Sequence, residues 1–153
     1  MTMLFQFSKN QIADRKTMFD FIGKYTHVTS ENHDEYLKSL GVSFLLRKAW
    51  LAATPIVEIT ETAPGKWKMV TTTSFYTSAV EFEEGVPFDE QTFDGRDCKT
   101  TFVFETETRL IQEQKCTKAG GKDTKLIWDC YSDKLLLQTI CEDVTSKHVF
   151  LRN

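Results

Sequence analysis

Proline and glycine are scarce in this sequence, at three and seven residues in a chain of 153. That scarcity excludes collagen-like and low-complexity chains. Neither sign of charge dominates: 19 Lys and Arg stand against 22 Asp and Glu, for a formal net charge of −3. Such a balance argues against nucleic acid, and no nucleic-acid partner is expected. Long apolar runs are also missing. The longest stretch without an acidic or basic side chain, Met69 to Val80, is rich in Thr and Ser and too short to cross a bilayer as a helix. Met1 to Lys16 has no basic start and no long apolar core, so a secretory signal is not expected there. The four cysteines, Cys98, Cys116, Cys130 and Cys141, make no CxxC pair and no zinc-ligand spacing. Reduced thiols in the cytosol are therefore expected, with no metal site. No nucleophile motif surrounds a Ser or Cys, the three histidines (His27, His33, His148) lack a sequence-local partner, and Gly120-Gly121-Lys122 is too poor in glycine for a phosphate loop. Neither an enzyme nor a cofactor is expected.

What is present is an ordinary globular composition, 41% hydrophobic and 27% charged. A chain of this length buries about two-thirds of its unfolded surface, enough for one domain. Residues 1–18 stand apart from 19–153 because they show no strand alternation. Met3, Leu4, Phe5 and Phe7 are apolar there and Gln11 to Lys16 polar, which fits a loose tail, a helix packed on the body, or a membrane-touching segment. From Asn32 the pattern turns helical. Asn32 with Glu35 resembles a capping box, and Tyr36, Leu37 and Leu40 then share a helix face. Gly41 interrupts, and Phe44, Leu45, Trp50 and Leu51 form a second short helix that Thr54-Pro55 stops.

The remaining residues read as strands. Breaks fall at Ala63-Pro64-Gly65, Glu83-Glu84-Gly85, Phe93-Asp94-Gly95, Ala119-Gly120-Gly121, Ser132-Asp133 and Glu142-Asp143. Their spacing is that of an antiparallel meander, and Thr, Val and Phe fill the intervals. Met69, Thr71, Thr73 and Phe75 share one parity, a mixed polar and apolar face that suits a cavity wall. An all-β closed barrel, with the helix pair capping one end, is the expected fold.

The segments in order resemble the intracellular lipid-binding proteins, the family of the fatty-acid- and retinoid-binding proteins. The resemblance runs from Phe19-Asp-Phe-Ile-Gly-Lys-Tyr25 through Ser30-Glu-Asn32, Asp34-Glu-Tyr-Leu-Lys38, Leu40-Gly-Val42 and Arg47-Lys48. It continues with Pro55 at the second strand, Thr73-Ser-Phe75 in a portal turn, Phe88-Asp-Glu90, Thr92, Asp94-Gly-Arg96, Gln114-Lys115 and Asp133-Lys-Leu135. It implies a ten-stranded up-and-down barrel with a helix-turn-helix lid, an internal lipid cavity, a monomer and a cytoplasmic location. It also implies intracellular transport of a fatty acid, retinoid or other lipid.

The chain departs from the family in two places. In the N-terminal signature, His27 and His33 stand where relatives carry aliphatic and aromatic residues. Members that hold a carboxylate use an Arg on a late strand and a C-terminal Arg-x-Tyr; the matching positions here are Trp128 and His148-Val-Phe150. Arginine supplies paired, permanently charged donors, whereas Trp offers one neutral N–H and Phe none. His148 is charged only when protonated, and burial favours the neutral ring. Weak carboxylate capture and a flat or bulky apolar ligand are therefore expected, with Trp128, His148 and Phe150 in contact.

Arg96 is the remaining candidate internal cation, Gln114 a candidate inward hydrogen-bonding group, Phe75 a portal plug and Tyr36 a lid contact. Arg96, Phe75 and the glutamines have structural readings of comparable weight. Lys38, Arg47 and Lys48 match basic lid positions of relatives that touch anionic membranes or enter the nucleus; a solvated face is the plainer reading. Under the same register all four cysteines point inward. Two other functions are open: an interaction or regulatory module that no longer binds carboxylate lipids, and a secreted lipocalin-type barrel, which the early helix pair disfavours.

Overall fold

A computed structural model describes residues 20–153. The boundary expected at residue 18, and the three readings of residues 1–18, lie outside the described residues. Ten strands form one antiparallel sheet: β1 (Gly23–Glu31), β2 (Ile56–Ala63), β3 (Lys66–Thr72), β4 (Thr77–Glu83), β5 (Phe88–Gln91), β6 (Asp97–Thr106), β7 (Arg109–Cys116), β8 (Thr124–Cys130), β9 (Lys134–Cys141) and β10 (Val144–Arg152). Two helices, α1 (His33–Ser39) and α2 (Phe44–Ala52), are inserted between β1 and β2. Each strand pairs with its sequence neighbour except β4 with β5, and β1 pairs with β10.

The barrel is therefore nearly closed, with one seam between β4 and β5. Two bonds bridge that seam to β6: Gly85 N–H donates to the Phe102 carbonyl at 2.8 Å, and Phe104 N–H donates to the Glu84 carboxylate at 2.6 Å. Alternation sets the wall. Along β9, Leu135, Leu137, Thr139 and Cys141 are buried while the residues between them are half-buried. Along β6, Cys98, Thr100 and Phe102 are buried in the same way.

Two apolar cores sit at opposite ends of the interior. At the closed end, Phe21, Trp67, Phe82 and Phe102 pack with the partly buried Phe88 and Phe104, and the Phe82 and Phe102 rings stack at 4.0 Å. Tyr25 anchors the entry to β1 there, its hydroxyl donating to the Phe21 carbonyl at 2.9 Å. At the lid end, Tyr36 and Leu37 of α1 pack with Val42 and Cys141. The cavity lies between these cores.

The first helix starts differently from the expected capping box. Asn32 is in the left-handed region at φ 59° and makes no side-chain cap; its Nδ2 donates instead to the Thr145 carbonyl at 3.0 Å. The side chain thus fastens the start of α1 to β10, and the φ value is one asparagine tolerates. Gly41, at φ 77°, turns the chain after α1, and Val42 N–H closes that turn on the Leu37 carbonyl at 3.1 Å. Ser43 then caps α2, in which no side chain is fully buried.

Two sequence expectations about strands need correction. The run that placed Thr73 and Phe75 on a strand face ends at Thr72, and both residues lie in the β3–β4 turn. A further turn at Glu107–Thr108, between β6 and β7, carries no Gly or Pro to mark it. Of the cysteines, Cys98, Cys130 and Cys141 are buried, whereas Cys116 is half-buried against Gly121, where a Cβ would overlap its sulfur. All four are free thiols.

Candidate functional site

The cavity opens under the lid and has a volume of about 190 Å³ for the centres of water molecules. Its wall combines Val57, Met69, Leu126, Leu137 and Phe150 with Trp50 and Phe93 near the mouth. Polar side chains enter as two separate groups, and their positions follow from strand parity.

The first group lies on β5 to β8. Glu90 accepts from Thr100 Oγ1 at 2.7 Å and from Gln114 Nε2 at 2.9 Å. Gln114 in turn accepts from Thr124 Oγ1 at 2.7 Å, and Gln112 accepts from Trp128 Nε1 at 3.0 Å. The indole N–H of Trp128 is thus already satisfied, so this ring presents an apolar face to the cavity. Glu90 is the one carboxylate lining the cavity among the described residues.

The second group contains all three histidines of the chain. His27 comes from β1, His33 from the first turn of α1 and His148 from β10. His148 Nδ1 lies 3.4 Å from His27 Nε2, and its Nε2 lies 3.0 Å from Ser146 Oγ. Ser146 is hydrogen-bonded onward to Thr139. The His33 ring meets His148 edge-on at 4.6 Å, and His27 meets Phe150 at 5.2 Å. The β1–β10 register slips between His27 and Thr29, and beside this bulge a cleft lined by Ser30, Glu31, Lys147 and His148 reaches the cluster.

Burial dominates the electrostatics of this group. His148 is held down to about pKa 3 by burial first, then by His33 and His27. His33 is held down to about 4 by burial and by His27, against the opposing pull of Asp34. His27 is lowered by burial. At neutral pH all three rings are uncharged. Among the described residues no group of three or more ligating side chains is placed to hold a metal ion.

The sequence candidates fall into distinct places. Trp128, His148, Phe150, Gln114 and Tyr36 line the cavity. Arg96 does not: its Nε donates to Asp94 at 2.8 Å, and Nη1 donates to the Lys122 carbonyl at 2.8 Å and to Thr124 at 3.2 Å. Phe75 sits half-exposed in the β3–β4 turn, 4.9 Å from the Trp50 ring. On the lid, Arg47 Nε donates to Asp34 at 2.9 Å and Lys38 pairs with Asp34 at 3.4 Å. Lys48 lies over the Phe44 ring at 4.8 Å.

His27, His33 and Glu90 were not among the candidates from sequence. The two histidines carried a signal all the same, since both replace apolar residues at positions matched to the family. Only the β1–β10 pairing and the start of α1 bring them to His148.

No family model matches the chain. Over 138 residues the chain is 35% identical to cellular retinoic acid-binding protein 2 of Rattus norvegicus, covering 88% of this chain and 99% of that protein. It is 36% identical over 132 residues to fatty acid-binding protein homolog 5 of Caenorhabditis elegans, covering 86% and 96%. Among solved structures, a Schistosoma mansoni fatty acid binding protein in complex with arachidonic acid superposes with a TM-score of 0.83 at 29% identity, covering 90% of this chain and 98% of that one. A fatty acid-binding protein from Drosophila melanogaster brain gives 0.78 at 36% identity, covering 86% and 98%.

Proposed function

The chain belongs to the intracellular lipid-binding protein family, and from that premise we propose that it is a cytoplasmic carrier that binds a hydrophobic ligand in its barrel. The observation that carries this reading is the cavity itself, walled by apolar and aromatic side chains between two packed cores. Affinity would come from burying apolar ligand surface at roughly 25 cal/mol per Å², less the cost of ordering the ligand.

The head-group end is atypical. Among the described residues no Lys or Arg lines the cavity, and Arg96 is committed to Asp94. Trp128, Phe150 and the neutral His148 instead offer flat apolar faces. This favours sterol-like, retinoid-like or polyunsaturated molecules over a ligand that depends on a permanent cation. Binding rather than catalysis is the role proposed, and the protein acts as a monomer. The lid face, which carries Lys48 and the Asp34-paired Lys38 and Arg47 beside exposed leucines, would make transient contact with anionic membranes; passage into the nucleus would use the same face.

Native mass spectrometry of freshly purified protein, followed by solvent extraction of any bound molecule, tests the carrier reading. A stoichiometric apolar compound is the expected result. If the barrel is empty and titration with fatty acids, retinoids and sterols gives no binding, the reading fails in favour of a non-carrier interaction module on this fold.

A further inference from the structure

The three histidines of the chain come from three separate elements and meet on the cavity wall. From this convergence we infer that His27, His33 and His148 form a proton-coupled head-group site, which takes a lipid carboxylic acid together with one proton from solvent. The inference rests on the carrier reading and names a ligand class for the same cavity.

The argument is one of charge balance. A bare carboxylate brought among neutral imidazoles leaves an uncompensated buried charge, because no Lys or Arg lines the cavity among the described residues. A lone imidazolium in the empty cavity is equally uncompensated. Taken together they are tolerated, either as an imidazolium–carboxylate pair or as a carboxylic acid hydrogen-bonded to a neutral ring. Both arrangements contain the same atoms, so either way one proton is taken up for each ionised acid bound.

The geometry suits such a proton. His148 Nδ1 and His27 Nε2 are 3.4 Å apart, close enough to share it or to hold a carboxyl between them with a small shift. Ser146 at 3.0 Å holds the far nitrogen of His148. The cleft beside the β1 bulge is lined by His148 together with Thr29, Glu31 and Lys147.

Other titratable groups surround the cluster. From α1, Tyr36 lines the cavity and Asp34 faces His33, but Asp34 is paired with Arg47 and Lys38. Glu31 of β1, Lys147 of β10 and Asp129 of β8 line the outer cleft. β9 contributes Thr139 and Leu137, which do not titrate, and Glu90 of β5 lines the cavity within the other polar group.

Matched ligands test this: retinoic acid against retinol and oleic acid against oleyl alcohol, below their aggregation limits. Calorimetry in two buffers of different ionisation enthalpy should report about one proton taken up per acid and none per alcohol. Acid affinity should rise up to about tenfold for each pH unit lowered between 8.5 and 6.5, while alcohol affinity stays flat. The variant His27→Leu/His148→Leu should lose the uptake and the slope in acid binding, whereas any acid that Glu90→Gln binds should still bring in one proton. Acid binding without proton uptake overturns the inference and leaves the carrier reading intact. Uptake that survives the double variant, or disappears with Glu90→Gln, overturns it equally. If neither acid nor alcohol binds, the carrier reading falls first and takes the inference with it.

Discussion

His148 is 7% exposed and neutral, and that neutrality has a cost that appears on acidification. In the unfolded chain its ring protonates below about pH 6.5. In the folded chain it resists until about pH 3. The unfolded state therefore binds more protons throughout that window, and stability falls as pH drops from 6.5 toward 3. The slope for one such ring is about 1.4 kcal/mol per pH unit. Urea unfolding at pH 7 and pH 5 should show the loss, and His148→Leu should reduce it by about 2 kcal/mol. An unchanged difference between the two pH values would mean that the ring is not buried neutral. Arg96 makes the opposite kind of prediction. Its carboxylate partner Asp94 has only 3% of its side chain exposed, so Arg96→Met strands a buried charge. A loss of about 3 kcal/mol in unfolding free energy is expected. Ligand affinity in the folded variant should change little, because Arg96 ties the β5–β6 turn to the β7–β8 turn instead of lining the cavity. A large affinity loss with little loss of stability would return Arg96 to the binding site.

Among the elements, the lid shows what sequence can and cannot reveal. Its helices were legible because Gly41 and Thr54-Pro55 punctuate them locally. Six of the turns were legible through Gly, Pro or Asp for the same reason, whereas Glu107–Thr108 offered no such residue. The local pattern at Asn32 suggests a capping box, but its actual partner, the Thr145 carbonyl, is 113 residues away. Residue 148 stands out by its position near the C-terminus, but its meeting with His27 and His33 depends on strand register. That is non-local information which periodicity does not contain. The same limit hid the latch between α2 and the barrel. Trp50 packs edge-on against Phe75 at 4.9 Å, Phe93 at 5.0 Å and Tyr76 at 5.3 Å. Those rings lie on the β3–β4 and β5–β6 connections, which flank the seam on either side. Each such pair contributes about 1 kcal/mol beyond burial. Trp50→Ala should therefore loosen α2 and accelerate ligand dissociation by about tenfold, with a smaller change in association rate. Stopped-flow displacement of a fluorescent lipid measures both rates, and an unchanged dissociation rate would show that ligand leaves by another route.

At the scale of the whole molecule, the distribution of surface favours the lid as the end that meets other bodies. The closed end buries its aromatic rings, whereas α2 leaves Phe44, Leu45, Leu46 and Leu51 exposed, Leu45 by 78%. The basic residues beside them are less available than the sequence suggested, since Arg47 and Lys38 both pair with Asp34. Two driving forces for membrane contact can then be ranked. A lysine near an anionic surface contributes about 1 kcal/mol, and salt screens it. Fully burying a leucine contributes about 2 kcal/mol, and salt leaves that intact. If the lid delivers ligand by touching the bilayer, the apolar contribution is the larger. Transfer of a fluorescent lipid to anionic vesicles should then quicken in proportion to vesicle concentration. Leu45→Glu with Leu46→Glu should slow it more than raising the salt or making Lys48→Glu. A rate independent of vesicle concentration would mean that ligand crosses through water and that the exposed leucines serve something other than delivery. A rate that salt abolishes, but the leucine changes do not, would reverse the ranking and give the contact to the basic side chains.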